Sequence, residues 1–296
     1  MENCSTDVNW LLKGLVIYFG RFNKWLFFYC FMRLIDAHMH LDHERFEKDI
    51  DEVVDRARDA GLKVVITSGV NPSSNRTVLE LSKKYDIVKC SFGIYPVDAI
   101  SNQLEDVGEE GYMRHVEKFD VDSELEWIEE HKAECIAIGE VGLDFKIVPG
   151  TENLQEPIFR KIIRLAKKLD KPIVIHSRKA ELRAIEIMEE EGADKVLMHC
   201  FSGKKSLIKR CVDNGWFLSI PAVITRLLHF QMMAEIVPLN NLMTETDAPY
   251  LARVAGERSE PADVFGTIGE IAKIKGLDEK EVSEQIFNNA ERLFGI

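Results

Sequence analysis

The stretch Leu34–His40 reads LIDAHMH, an apolar run that ends in two histidines separated by one residue. Because side chains alternate along a strand, His38 and His40 point to the same face. A polar side chain at the end of a buried strand is costly unless something there requires it. Four further apolar runs end in side chains of the same chemical kind, namely Glu140, His176, His199 and Asp247. Imidazole and carboxylate groups together suit Zn, Mn or Fe and sometimes Mg, so the pattern predicts a metal centre.

Outward from this stretch, short apolar runs alternate with helical patterns. Eight such runs begin near Leu34, Lys63, Val88, Cys135, Pro172, Lys195, Trp216 and Leu242. Their continuous Val and Ile content is typical of strands buried on both faces. Eight strand–helix units in about 215 residues predict an α/β fold, the closed TIM (β/α)8 barrel. The alternative is an open doubly wound sheet, which needs a glycine-rich turn after its first strand, and residues 36–40 are not such a turn.

The helical patterns carry apolar residues at helical spacing, and several stop at a glycine. Helices are predicted over Glu44–Ala60, Pro157–Leu169, Glu181–Glu191 and Lys204–Asn214. The long gap from Val97 to Glu134 predicts an irregular insertion followed by a helix over Asp122–His131. Two more helices are predicted after Pro261, packed on the outside of the barrel.

The six candidate ligands all fall where a barrel gathers its reactive groups, at the carboxyl ends of the strands. The His38 and His40 pair can bind one cation. Glu140, on the fourth strand, lies between that pair and the histidines of the fifth and sixth strands, so its two oxygens can bridge two cations. Asp247 follows the eighth strand and lies beside the first strand once the barrel closes.

This arrangement indicates hydrolysis. Two divalent cations about 3.5–4 Å apart lower the pKa of a shared water and polarise a phosphoryl or carbonyl oxygen. Asp247 is predicted to hold a metal and to accept the proton of the attacking water, so Asp247 and Glu140 are the predicted catalytic residues. The predicted cofactor is a pair of divalent cations, Zn, Mn or Mg.

Charge and cysteine content limit the partners and the compartment. The 296 residues carry a net charge of -12, which argues against a broad basic surface and a tight, sequence-specific DNA reader. A transiently bound DNA or nucleotide substrate remains compatible, because bound cations offset the local negative charge. The six cysteines form no CxxC pair and are interpreted as small buried side chains in a reducing cytoplasm.

Residues 1–31 do not resemble the rest of the chain. They are strongly apolar, but Lys13, Arg21 and Lys24 interrupt them before the run reaches the ~18 apolar residues of a membrane span. Met32 reads as a natural start, so residues 1–31 are predicted to be a start-site artefact and residues 32–296 a single TIM-barrel hydrolase domain. The alternative is a peripheral membrane-binding helix.

Five segments together resemble the TatD family of metal-dependent hydrolases. They are DAHMHLD (36–42), GEVGLD (139–144), IHSR (175–178), HCFSG (199–203) and ETDAPYL (245–251). The resemblance implies a TIM barrel of the metallo-dependent hydrolase type and deoxyribonuclease-type cleavage of phosphodiester bonds. It also implies these roles: a first metal on His38, His40 and Asp247, a second on His176 and His199, Glu140 as the bridge, and Arg178 facing substrate phosphate.

One position departs from the family pattern. The segment Phe92–Pro96 resembles a family stretch that usually has histidine, near the substrate, where this chain has Tyr95. Tyr95 is therefore a predicted substrate contact. A tyrosine can donate a hydrogen bond but cannot shuttle a proton at neutral pH, so weaker nuclease activity or another substrate is expected.

Two other functions stay open at this level. An amidohydrolase-like enzyme that cuts a small amide, ester or lactone would use the same metal chemistry, and a fold does not fix a substrate. A catalytically idle scaffold or binding protein would be expected to have a degraded site, whereas all six ligands are present. A metal-dependent phosphodiesterase is the leading interpretation.

Overall fold

Eight parallel strands form one sheet in the computed structural model, which describes residues 32–104 and 118–296. The order of strands in the sheet is their order in the chain. The strands are Leu34–Met39 (β1), Leu62–Ser68 (β2), Val88–Phe92 (β3), Ala137–Gly142 (β4), Ile173–His176 (β5), Val196–Met198 (β6), Phe217–Pro221 (β7) and Leu242–Glu245 (β8). Each begins within two residues of its predicted start, and β1 and β4 are buried along their whole length.

The sheet curls until β8 meets β1. The Asp247 N–H donates to the His38 carbonyl at 3.0 Å, and the His40 N–H donates to the Ala248 carbonyl at 2.8 Å. These bonds join the carboxyl end of the last strand to that of the first. The predicted TIM barrel is therefore confirmed.

Helices surround the sheet, and 3-10 turns cover Glu44–Phe46, Ser101–Gln103, Ala222–Thr225, Leu239–Asn241 and Pro261–Asp263. The α-helices of the described ranges are Ile50–Asp59 (α1), Pro72–Lys84 (α2), Pro96–Ala99 (α3), Val121–Glu130 (α4), Glu152–Lys168 (α5), Glu181–Glu190 (α6), Lys205–Asp213 (α7), Leu228–Ile236 (α8), Val264–Lys275 (α9) and Glu279–Phe294 (α10). The predictions for α4, α6, α7 and the two C-terminal helices are confirmed. Helices α2 and α8 were not predicted, although Asn71 caps α2 and Pro72 opens it.

Two predicted helix boundaries are wrong. The helix predicted over Glu44–Ala60 is interrupted, because Asp49 has φ -145° and turns its carboxylate to Arg258, with Oδ2 2.6 Å from the guanidinium. The helix predicted to start at Pro157 begins five residues earlier, at Glu152. Its first turn is held by Gln155, whose amide bonds both backbone groups of Asp144, at 2.8 and 2.9 Å.

Residues Arg33–Ile296 form one compact unit. The predicted start-site artefact, residues 1–31, lies outside the described residues, as does part of the predicted insertion, residues 105–117. No helix within the two described ranges is both long and apolar enough to cross a membrane.

Candidate metal centre

The six predicted ligands come together around the Glu140 carboxylate at the carboxyl end of the barrel. Its Oε2 lies 3.7 Å from His38 Nε2 and 3.3 Å from His40 Nε2. Its Oε1 lies 2.8 Å from His176 Nδ1 and 3.1 Å from His199 Nε2. Each oxygen thus faces a different pair of histidines.

Asp247 completes the side of the cluster that Oε2 faces. Its Oδ1 is 3.6 Å from both His38 Nε2 and His40 Nε2. Asp247 lies two residues beyond the last residue of β8 and has φ +53°, so a left-handed residue aims the carboxylate back at β1. Its side chain is 16% exposed, against 4% for Glu140, so it is the more open of the two carboxylates.

Two groups of donor atoms in this cluster are spaced to hold a metal ion, with every atom of a group within 4.8 Å of the others. One group is His38, His40 and Asp247, the set predicted for the first metal, and the other is His38, Glu140 and His199. The second group has His38 where His176 was predicted. The short contact of His176 Nδ1 with Glu140 Oε1 nevertheless places His176 on the same side as His199.

Glycine permits the strand ends to approach this closely at two positions. A Cβ on Gly93 would lie 2.4 Å from the backbone N and O of Glu140. Gly142 has φ +143°, and a Cβ there would lie 1.9 Å from the carbonyl oxygen of His176. Both glycines are therefore needed to seat the two ligands.

Ser68, at the end of β2, orients both histidines of the first strand. Its Oγ lies 3.0 Å from His38 Nδ1, and its carbonyl oxygen lies 3.2 Å from His40 Nδ1. Both rings therefore turn Nε2 towards the carboxylates. The prediction that His38 and His40 share one face is confirmed.

His176 is held the other way round, by Asp144. Asp144 Oδ2 lies 3.0 Å from His176 Nε2, so Nδ1 is the nitrogen that faces Glu140. The hydroxyl of Tyr95 donates to the same Oδ2 at 2.7 Å and lies 3.4 Å from His176 Nε2. Tyr95 thus contacts the site through Asp144 and His176, and its predicted contact with substrate stays a prediction.

Glu245 faces the other ring nitrogen of His199, Nδ1, which is buried and forms no hydrogen bond with a described residue. Its Oε2 lies 3.5 Å from His199 Nδ1 and accepts a hydrogen bond from Ser219 Oγ at 2.7 Å, while Oε1 accepts the Cys200 N–H at 2.8 Å. A carboxylate in this position fixes the ring nitrogen that carries the proton. Glu245 thus lies behind a predicted ligand, on the side of the His199 ring that faces away from Glu140.

Asp36 joins the two strands that carry the first set of ligands. It is fully buried; its Oδ1 accepts the His38 N–H at 3.3 Å and the Thr246 N–H at 2.9 Å, and its Oδ2 accepts the Thr246 hydroxyl. Burial is the main reason that the pKa of this carboxyl lies well above its usual range. The sequence reasoning missed Asp36, Ser68 and Asp144 as supporting residues, although each follows or ends an apolar run.

The charges at the centre are strongly coupled. Burial alone would lower the pKa of His40, but hydrogen bonds to Asp247 and Glu140 raise it to about 10. Burial also opposes the ionisation of Glu140, yet His199 and His176 hold the pKa of its carboxyl well below the usual range. Imidazolium protons here neutralise carboxylates that a cation would neutralise in their place.

The donor set fits a cation by distance and by chemistry. His38 Nε2 is buried and has no hydrogen-bond partner, although carboxylate oxygens lie 3.6 and 3.7 Å away. Two ligands each about 2.1 Å from one tetrahedral ion lie roughly 3.4 Å apart, close to these separations. The gap is too long for a hydrogen bond and is the right length for an ion between the atoms.

Arg178, the predicted phosphate contact, lies two residues beyond His176 and is exposed. Burial and the carboxylates of Glu245, Asp247 and Glu140 raise the pKa of the Cys200 thiol, and the positive charge of Arg178 opposes them. The guanidinium thus lies near enough to influence the centre. It has no ion-pair partner within residues 32–104 and 118–296.

Fold and site together define the class, the TIM-barrel metal-dependent hydrolases. The model of the family "TatD related DNase" matches residues 35–295, and the chain belongs to this family. A Mus musculus protein named putative deoxyribonuclease TATDN3 is 34% identical over 267 residues, which is 88% of either chain. The 3'-5' ssDNA/RNA exonuclease TatD of Citrobacter koseri is 29% identical over 275 residues, 89% of this chain and 99% of that one. Among solved structures, the Escherichia coli TatD homologue YJJV superposes with a TM-score of 0.77 at 23% identity, over 89% of this chain and 98% of that one.

Proposed function

We propose that this protein is a metal-dependent phosphodiesterase, a deoxyribonuclease of the TatD type that uses water activated between two divalent cations. The observation that carries this function is the Glu140 carboxylate, each of whose oxygens faces a separate pair of histidine nitrogens. A bridging carboxylate between two open cation sites is the arrangement of two-metal hydrolysis. The membership of the chain in a family of DNases supports phosphodiesters as the substrate.

The residues divide between the two sites as follows. His38, His40 and Asp247 would hold one cation, His176 and His199 the other, and Glu140 would bridge them. When bound, the cations supply an activated water and stabilise charge on the phosphoryl oxygens. Mixed imidazole and carboxylate donors suit Zn or Mn and also admit Mg.

Asp247 is the proposed proton acceptor. Its Oδ1 faces the histidines of β1, whereas its Oδ2 has no hydrogen-bond partner among the described residues. Both oxygens of Glu140 are occupied by imidazoles, and its side chain is only 4% exposed. The more open Asp247 is therefore better placed to take a proton from water, and Glu140 to hold the centre together.

Arg178 and Tyr95 are the proposed substrate contacts. An exposed guanidinium without an ion pair beside the centre is suited to bind a phosphate oxygen. The Tyr95 hydroxyl already donates to Asp144, so its contact with a substrate would use the ring.

The cysteines of the described residues, Cys90, Cys135, Cys200 and Cys211, are free thiols, which supports a reducing cytoplasmic location.

The test is hydrolysis of a single-stranded DNA oligonucleotide by protein stripped of metal, with and without added Mg, Mn or Zn. Glu140→Gln keeps the shape of the bridge and removes its charge. The matched control is Glu80→Gln on the exposed face of α2, where Glu80 forms an ion pair with Lys83. The expected result is metal-dependent cleavage that Glu140→Gln abolishes and Glu80→Gln retains. Equal rates in the two variants would reject the role of the centre, and turnover confined to a panel of amides, esters and lactones would transfer the function to the amidohydrolase class.

A further inference from the structure

A row of exposed cations lies on one side of the barrel mouth. The four loops that follow β4, β5, β6 and β7 cover residues 143–151, 177–180, 199–204 and 222–227. Their exposed charged side chains are all cationic, namely Lys146, Arg178, Lys179, Lys204 and Arg226. Their one acidic residue, Asp144, is fully buried and bonded to His176 and Tyr95.

This cationic rim runs against the charge of the molecule, whose net value is -12. The residues between β1 and α1, 40–49, carry four acidic and two basic side chains, and residues 246–263 after β8 carry the same numbers. There Arg258 is neutralised by Asp49. None of the five rim cations forms an ion pair within the described ranges. The rim is thus a local excess of uncompensated positive charge.

The four loops follow strands that are neighbours in the sheet, so they lie side by side along the mouth. The Phe145 N–H donates to the Arg178 carbonyl at 3.0 Å, which joins the first loop to the second. The third loop is bonded to β5, where the His199 N–H donates to the Ile175 carbonyl at 3.2 Å. It is also bonded to α8, the helix after the fourth loop, where His229 Nε2 lies 2.9 Å from the Phe201 carbonyl. Since neighbouring strands are about 4.8 Å apart, the four loops span roughly 15 Å. An edge of this length can contact several successive phosphates of one strand.

We propose that the cationic rim binds the phosphate backbone of a single polynucleotide strand that extends away from the scissile bond across the loops after β4 to β7. This inference rests on the proposed function, since it places the strand whose phosphodiester reaches the centre. The loops after β1 and β8 each carry two more acidic than basic side chains, and this net negative charge would repel a second strand there. The rim therefore favours one strand that runs to one side of the mouth.

The test removes three rim lysines that have no place in the proposed catalytic machinery, in the combined variant Lys146→Gln, Lys179→Gln, Lys204→Gln. The matched control removes three lysines near the amino ends of strands, at the opposite end of the barrel, in Lys63→Gln, Lys89→Gln, Lys132→Gln. Both variants lose the same charge. Binding of a fluorescent single-stranded 20-mer is followed by anisotropy at several salt concentrations, and hydrolysis of bis(4-nitrophenyl) phosphate, a diester without a chain, is measured in parallel.

We expect the rim variant to bind the 20-mer about ten- to hundredfold more weakly. The steepness of log affinity against log salt should fall by about 2, because each of the three lost phosphate contacts contributes roughly 0.7. The control variant should bind as the unaltered protein does, and both should hydrolyse the small diester equally. Equal binding and equal slopes in the two variants would overturn the proposal that the rim binds the strand. If the unaltered protein does not hydrolyse the small diester, the proposed function is overturned instead. The anisotropy measurement would still show whether the rim binds the strand. Tighter binding of a duplex than of the single strand would also reject the inference.

Discussion

Asp144 decides which nitrogen of His176 is free to bind a metal, and Asp144→Asn is the sharpest perturbation of that choice. Its Oδ1 accepts the backbone N–H groups of Lys146 and Ile147, each at 2.8 Å. These two donors keep an oxygen in that position when asparagine replaces aspartate. The amide nitrogen must then occupy the place of Oδ2, 3.0 Å from His176 Nε2 and 2.7 Å from the Tyr95 hydroxyl.

An amide nitrogen only donates, so His176 Nε2 has to accept. The ring proton then moves to Nδ1, the nitrogen 2.8 Å from Glu140 Oε1, and a protonated nitrogen cannot bind a metal. Loss of such a supporting carboxylate typically costs 10- to 100-fold in metal affinity, or about 1.4–2.7 kcal/mol. Tyr95→Phe removes one hydrogen bond to Asp144 and leaves the tautomer unchanged, so it should cost less than about 1.5 kcal/mol.

Metal affinity is measured by calorimetric titration of Zn or Mn into protein freed of metal, and the protonation of the His176 ring by ¹⁵N NMR. The control is Asp51→Asn, since Asp51 also accepts a tyrosine hydroxyl, that of Tyr85 at 2.5 Å, but its side chain is exposed on the surface of α1. If Asp144→Asn binds metal as tightly as the unaltered protein, with the proton of His176 still on Nε2, this account of the site is wrong.

Three further outcomes follow from features described above. Gly93→Ala should abolish metal binding in calorimetry, because its Cβ would lie 2.4 Å from the Glu140 backbone. Gly269→Ala in α9 is the control: its Cβ would meet nothing closer than 3.4 Å, so it should raise the free energy of unfolding by about 0.5–1 kcal/mol. Metal binding that survives in Gly93→Ala but is lost in Gly269→Ala would contradict the packing. Thr267→Val should stabilise the fold by about 1 kcal/mol in urea unfolding, because the buried Thr267 hydroxyl has no partner, and Thr77→Val, which loses a bond to a carbonyl, should not. Saturation with Mn at about 100 times its Kd should add about 2.7 kcal/mol to the free energy of unfolding, an increment that a chelator removes; an unchanged melting curve would count against a resident cation.

The sequence was most informative where topology leaves little choice. In a closed parallel barrel all the carboxyl ends of the strands meet at one mouth, so polar residues after apolar runs had to converge there. That rule placed His38, Glu140 and His199 together although they lie far apart in the chain. The strand starts were equally predictable, because a strand buried on both faces leaves a run of apolar residues with sharp ends.

Asp36, Ser68 and Asp144 could not be predicted as supporting residues, because their roles depend on side-chain directions that the sequence pattern does not encode. Asp144 lies two residues beyond the end of β4, and the backbone N–H groups of Lys146 and Ile147 hold its carboxylate on the side of His176 that faces away from Glu140. Helix α5 was predicted to begin at Pro157, where a proline often stands, but it begins at Glu152. The cationic rim could not be predicted for another reason. Its charges lie in separate loops of the sequence and become neighbours only when the barrel closes.

Gln155 lies on the outer helix α5, yet its side-chain amide forms hydrogen bonds with both the N–H and the carbonyl of Asp144. Hydrogen bonds thus connect the outer helix α5 to the metal centre, from Gln155 to Asp144 and from Asp144 to the ring of His176. A substitution that slides this helix by a fraction of an ångström would be felt as a change in ion affinity. Inherited variation on the exterior of such a barrel is therefore a means of tuning turnover without touching a single ligand.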